Sequence, residues 1–220
     1  MTETHIFRVF VNEAGEFGNP VGIVVDEKAE LSSRKRQEIT TKSGFSECVF
    51  IDDVVEGKVS IYNPEHEVKF AGHALVGTAY YLRHILSQNV DFIQCKAGKV
   101  NVREENNKTW ISASLENTPP WSFKELDGGD EVDDLSFGQK KRYEHTYVWA
   151  WVDKEKGIVR ARTFAPDWGI PEDEANGSGS MQLASRLGRE LEIHHGKGSV
   201  IYAKPLSNNM AEVGGRVVEK

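Results

Sequence analysis

Between residues 73 and 86 the chain carries Leu75, Val76, Ala79, Tyr80, Leu82 and Ile85, apolar residues on nearly every side of a helix. A helix with no polar face has to be covered all round, by a membrane or by the rest of the protein. No stretch of the sequence approaches the length of a membrane span, so the cover is expected to be protein. Short β-branched and aromatic runs supply it, at residues 6–11, 22–26, 48–51, 59–62, 100–103, 109–113, 147–152, 158–164, 199–202 and 212–218. Such runs read as strands, so the central helix is expected to thread a sheet that wraps it. Asn106-Asn107 separates two of them as a hairpin turn.

Two further segments read as helix. Residues 32–42 open on a serine cap and stop at Gly44. Residues 178–191 turn Met181, Leu183, Ala184, Leu187 and Leu191 inward and Arg186, Arg189 and Glu190 outward, which predicts one wet side. An internal echo links the all-apolar helix with the last one. Pro64-Glu65-His66-Glu67 precedes Gly72-His73, and Pro171-Glu172-Asp173-Glu174 precedes Gly177-Ser178. Each half thus offers strand, acidic turn, glycine and a polar residue opening an apolar helix. Duplication and chance similarity of two acidic turns both remain open at this level. The stretch 119–142, with paired prolines, Gly128-Gly129 and an acidic run, is the best linker candidate. It divides the chain into lobes at 1–118 and 119–220.

The 220 residues, 39% of them hydrophobic, suffice for one large domain or two small ones sharing a core. A formal net charge of -7 argues against a nucleic-acid partner. The basic groups Arg34-Lys35-Arg36 and Lys140-Lys141-Arg142 are flanked by acids and read as solvated faces. Cys48 and Cys95 cannot form a disulfide framework, and neither has metal-ligand spacing. With no apolar leader at the N-terminus, the expected setting is cytoplasmic. There is no glycine-rich phosphate loop, dinucleotide fingerprint or Gly-x-Ser-x-Gly elbow. His194-His195 has no partners at zinc spacing and reads as a surface pair near a helix end. The expectation is therefore no cofactor and no metal.

Gly72 and Gly177 let backbone approach a ligand at a helix start, where unpaired N–H groups favour an anion. Plain helix capping is the alternative for either one alone. Glu47 stands at the mouth of an apolar strand, where partial desolvation would raise its pKa toward the range useful for proton transfer. An exposed turn acid would look the same in sequence. His73 reads as a buried capping histidine or as a donor to substrate, and Asp173 as an orienting carboxylate or a turn residue.

Taken together, Gly18-Asn19-Pro20-Val21-Gly22, the strand bearing Glu47, Phe70-Ala71-Gly72-His73-Ala74, Gly169-Ile170-Pro171-Glu172-Asp173 with Gly177-Ser178, and Val213-Gly214-Gly215-Arg216-Val217 resemble the phenazine-biosynthesis (PhzF-like) branch of the diaminopimelate-epimerase fold. The matches keep family order from residue 7 to residue 218. The resemblance implies an α+β fold of two pseudo-symmetric lobes, each a mostly antiparallel sheet around a central helix, with the last strand able to pair back onto the first lobe. It implies a cofactor-independent isomerase, commonly a homodimer, acting on a small carboxylate-bearing metabolite in the cleft between the lobes. Glu47, His73 and Asp173 would be catalytic, and Asn19, Gly72, Gly177 and Ser178 would bind substrate.

The racemases of this fold use two cysteines just before the helix-opening glycines, where this chain has Ala71 and Asn176. A two-thiol racemase is therefore disfavoured, and a single carboxylate moving a proton is expected. A non-catalytic binding protein and a non-thiol epimerase with Asp173 as second base are the alternatives. The second lobe is shorter than usual for the family, and Glu174, Asn176 and Gly179 replace the usual Pro, Thr and Ala. The extra acid would be able to reshape the pocket.

Overall fold

The computed structural model describes residues 3–135, 143–168 and 170–220. Gly169 and Lys140-Lys141-Arg142 lie outside the described residues. The strands are β1 (His5–Val11), β2 (Asn19–Val25), β3 (Glu47–Asp53), β4 (Lys58–Tyr62), β5 (Glu67–Val68), β6 (Phe92–Cys95), β7 (Gly98–Glu105), β8 (Lys108–Ser114), β9 (Ser122–Glu125), β10 (Thr146–Asp153), β11 (Ile158–Ala165), β12 (Ile170–Asp173), β13 (Leu191–His195), β14 (Ser199–Pro205) and β15 (Met210–Glu219). The helices are α1 (Ser33–Ser43), α2 (Gly72–Tyr80), α3 (Gly129–Asp133) and α4 (Gly177–Leu187).

Local chemistry explains most boundaries. Ser32 caps α1 by accepting from the Lys35 N–H at 3.3 Å, and Gly44 ends it in the left-handed region at φ 71°. Asn106 and Asn107 take φ 52° and 57°, the pair of positive values that a two-residue hairpin turn between β7 and β8 needs. The apolar segment forms α2 and then a π-helical turn over Tyr81–Ile85; every residue from Gly72 to Ala79 is buried. It packs against β1, β2, β3, β8 and β15.

Four sequence expectations are corrected. The last helix stops at Leu187, because Gly188 adopts the left-handed cap at φ 65° and Leu191 and Ile193 alternate inward as β13. Arg186 is exposed, while Arg189 and Glu190 lie beyond the helix. His194-His195 belongs to that strand rather than to a helix end. His195 is fully buried, 2.9 Å from both Thr163 Oγ1 and the Glu174 carbonyl, and burial lowers its pKa to about 4. Arg36 is not on a solvated face: its guanidinium sits buried between Asp26 and Asp52, at 2.7 and 2.6 Å, over the Phe50 ring. Finally, the stretch read as a linker carries β9, parallel to β10, and the short α3.

The strand pairing repeats itself. From β2 the chain runs through α1, β3 parallel to β2, β4 and β5 antiparallel, α2, β6 parallel to β4, and then β7 and β8. From β9 it runs through α3, β10 parallel to β9, β11 and β12 antiparallel, α4, β13 parallel to β11, and then β14 and β15. The two halves differ in closure. β15 pairs with β8 and β14 through its first part and with β1 through its last, which closes β1-β2-β3-β4-β6-β7-β8-β15 into a ring. The second half has no such closure among the described residues, and its sheet runs out to β9. Among the described residues no helix is long and apolar enough to cross a membrane.

Candidate active site

The repeat brings α2 and α4 together end to end. A Cβ placed on Gly72 would lie 3.2 Å from the Gly177 Cα, and one placed on Gly177 would lie 3.2 Å from the Gly72 Cα. Glycine suits this approach, because a Cβ on either residue would press on the facing backbone and force it to shift. The positive ends of two helix dipoles therefore meet at one point. A cavity of about 700 Å³ opens there, lined by Glu47, Gly72, His73, Asp173, Gly177 and Ser178 among others. That volume suits a small ligand.

Glu47 begins β3, where the strand emerges from beside β2. Desolvation raises its pKa from 4.5 to about 7, with a hydrogen bond from Ser46 opposing the rise. Its Oε2 faces His73 Nε2 at 3.3 Å, yet neither atom makes an aligned hydrogen bond among the described residues. Burial lowers His73 to about 4, against the nearby Asp173 charge and a hydrogen bond to the Pro20 backbone. At neutral pH the histidine is therefore uncharged, while Glu47 is close to half-ionised.

Asp173 ends β12 and is pushed up by burial, with the Glu47 charge adding to the rise and His73 opposing it. Its oxygens are both held: Oδ1 accepts from Asn19 at 2.7 Å and from the Ala175 N–H at 3.3 Å, and Oδ2 accepts from Asn176 at 2.9 Å. Asn19 is not among the cavity-lining residues. It stands behind the wall, donating also to the Ala175 carbonyl and accepting from Ser46 Oγ at 3.3 Å. Hydrogen bonds thus run from Ser46 in the first half through Asn19 and Asp173 to Asn176 in the second.

The departures in the second half also find places. Asn176 caps α4 by accepting from the Gly179 N–H at 2.6 Å, a bond that Ala71 does not supply at the start of α2. Gly179 has no room for the usual alanine, since a Cβ there would fall 2.4 Å from the Tyr147 ring. Glu174 does not reshape the cavity. It turns away to accept from the Lys197 N–H at 3.1 Å and from Ser199 Oγ at 2.8 Å.

Cys48 and Cys95 are buried, with thiol pKa values raised by desolvation, and neither lines the cavity. Among the described residues no group of three or more His, Cys, Asp and Glu is arranged to hold a metal ion. The sequence reading missed Trp121 and Trp168, which line the cavity with rings 5.2 Å apart, edge to face. Trp121 follows two prolines in the stretch taken for a linker, so nothing in the local pattern marked it.

Comparisons with known proteins show the family and the fold. The family model described as phenazine biosynthesis-like protein matches residues 7–154, a span that includes Glu47, Gly72 and His73. The chain is 25% identical to trans-2,3-dihydro-3-hydroxyanthranilate isomerase of Pseudomonas chlororaphis, over 82% of this chain and 78% of that protein. It superposes on a PhzF-family phenazine biosynthesis protein of Enterococcus faecalis with TM-score 0.78 at 19% identity, covering 99% and 97% of the two chains. A hydroxyproline epimerase from Agrobacterium vitis shares the fold at TM-score 0.59 and 11% identity, covering 99% of this chain and 90% of that one.

Proposed function

The chain belongs to the phenazine biosynthesis-like family of isomerases, and we propose that it moves a proton within a small carboxylate-bearing metabolite, with Glu47 as the single carrier. The observation that carries this is the meeting of two helix starts with the desolvated Glu47 carboxyl in the same cavity. Substrate carboxylate would sit against the N–H groups at Gly72 and Gly177, where donors and dipoles converge. The ionised form of Glu47, a substantial fraction near pH 7, would take a proton from one carbon and return it at another on the same face. His73, neutral at that pH and with its one N–H given to the Pro20 carbonyl, would present Nε2 as an acceptor to the substrate's polar group, and Ser178 would add a hydroxyl.

Asp173 fits an orienting role better than that of a second base. A carboxylate whose two oxygens are both held by Asn19, Asn176 and Ala175 has little freedom to shuttle a proton. This disfavours the two-base epimerase. The lobes divide at 118/119 in this proposal, and two copies of the chain would associate as a homodimer.

The test is Glu47→Gln assayed with trans-2,3-dihydro-3-hydroxyanthranilate, the compound in the relative's name, in water and in deuterium oxide. The expected result is loss of turnover with binding of 3-hydroxyanthranilate, a stable ring carboxylate, retained. Undiminished turnover in the variant would refute the glutamate mechanism. Binding without turnover in the unmutated protein would favour the non-catalytic alternative.

A further inference from the structure

Extending this isomerase reading, and resting on it, we propose that Trp121 is a positioning residue that makes Ser178 a hydrogen-bond donor to the substrate. The Trp121 indole N–H donates to Ser178 Oγ at 2.9 Å. An indole N–H can only donate, an ionised carboxylate can only accept, and a serine hydroxyl does either. With its oxygen already receiving the indole, Ser178 has its one hydrogen left to give. That hydrogen points to Asn176 Oδ1 at 3.3 Å, a long contact to an oxygen already committed to the Gly179 N–H at 2.6 Å. A charged acceptor at the helix start forms the stronger bond and takes the hydrogen over. Donation into the oxygen also polarises the O–H outward.

The indole is held in register by a strap. Gln182 Nε2 donates to Thr118 Oγ1 and to the Pro119 carbonyl, both at 2.7 Å. Ser178 and Gln182 are four residues apart and share one face of α4, so the segment from Thr118 to Trp121 is tied along that face at two points. Trp168 braces the ring edge-on. The connection between the halves is thus a wall of the site, and its tryptophan fixes the polarity of a hydroxyl that otherwise turns either way.

The test is a double-mutant cycle on the full chain, with calorimetric binding of 3-hydroxyanthranilate as the readout. Trp121→Phe keeps a ring and removes the N–H, and Ser178→Ala removes the hydroxyl. Each alone should weaken binding about fivefold, the scale of one net hydrogen bond. The double variant should bind no more weakly than Ser178→Ala, because Trp121 acts through Ser178. Gln182→Leu, which loosens the strap, should likewise weaken binding only when Ser178 is present, and it serves if Trp121→Phe does not fold. Additive losses, or undiminished binding in Trp121→Phe, would overturn the assignment while leaving the Glu47 mechanism standing. Turnover surviving in Glu47→Gln would sink that mechanism and leave the binding cycle to be judged by itself. Failure of the unmutated protein to bind the probe would overturn the cavity as a carboxylate site and this assignment with it.

Discussion

The two halves follow the same path of strands and helices, yet they equip the site differently. At the start of β3 the first half places Glu47; at the matching start of β10 the second places Thr146, buried and donating to the Glu144 carbonyl. At the helix starts the order reverses. α2 begins at Ala71 with no side-chain cap, so its first N–H groups have no side-chain acceptor there, whereas α4 is capped by Asn176 and carries Ser178. One half brings Glu47 and His73 beside an uncapped helix start, and the other brings Asp173, Asn176 and Ser178 tied by hydrogen bonds. The lesson is that a repeated frame gives symmetric positions without giving them the same side chains.

The sharpest way to break this contrast is to compare its two carboxylates. Glu47→Gln should lower turnover by about 10²–10⁴-fold, the usual contribution of a general acid–base, whereas Asp173→Asn should act mainly on KM. Equal losses of kcat in steady-state assays would mean that both halves supply a proton carrier. The glycines come next. Gly72→Ala and Gly177→Ala should each cost about 1–3 kcal/mol in denaturant unfolding, as overpacking does. Since each new Cβ presses on the other glycine's backbone, the double variant should cost less than the sum.

The pH dependence of stability sharpens the same contrast. Glu47 is raised from 4.5 to about 7, so between those values the folded state binds more protons and stability falls as pH rises. His73 and His195 are lowered from 6.5 to about 4, so between pH 4 and 6.5 the unfolded state binds more and stability rises. The trends oppose each other. Glu47→Gln should therefore steepen the rise between about pH 4.5 and 6.5, by at most about 1.4 kcal/mol per pH unit. Urea midpoints across that range would show it, and an unchanged profile would mean that Glu47 is not desolvated. Last is the cap: Asn176→Ala should cost about 1–3 kcal/mol of stability by thermal melts, since it removes the α4 cap, which has no counterpart at Ala71, and also the donor to the buried Asp173 Oδ2.

Much of this was legible in the residues. The β-branched and aromatic runs fell on strands, because such side chains pack well on a pleated surface and many of these strands are buried on both faces. The all-apolar helix announced its own burial, and the paired Gly72 and Gly177 foreshadowed the contact between helix starts. Other features depend on partners far away in the chain. Arg36 looks solvated until Asp26 and Asp52 fold onto it, and Leu191 continues a helical spacing that Gly188 interrupts. β9 hides in a polar stretch because it lies at the end of the sheet, with β10 its one neighbour among the described strands. Asn19 was read as a substrate-binding residue, yet it stands behind the wall on Asp173, a partner 154 positions on that no local pattern reveals. Trp121 gave no signal, as its role exists only once Ser178 is beside it.

The double membership of β15 has a consequence for how the molecule is made. The strand that closes the first ring also belongs to the second sheet, and it follows every other described strand in chain order. During synthesis the first half emerges with its barrel gapped between β8 and β1, and its apolar helix is incompletely covered until residues 210–219 arrive. Such long-range closure is slow, since loop entropy is lost before the contacts repay it. Until then the gapped barrel leaves apolar surface and unpaired strand edges open, the features that make partly folded chains prone to aggregate.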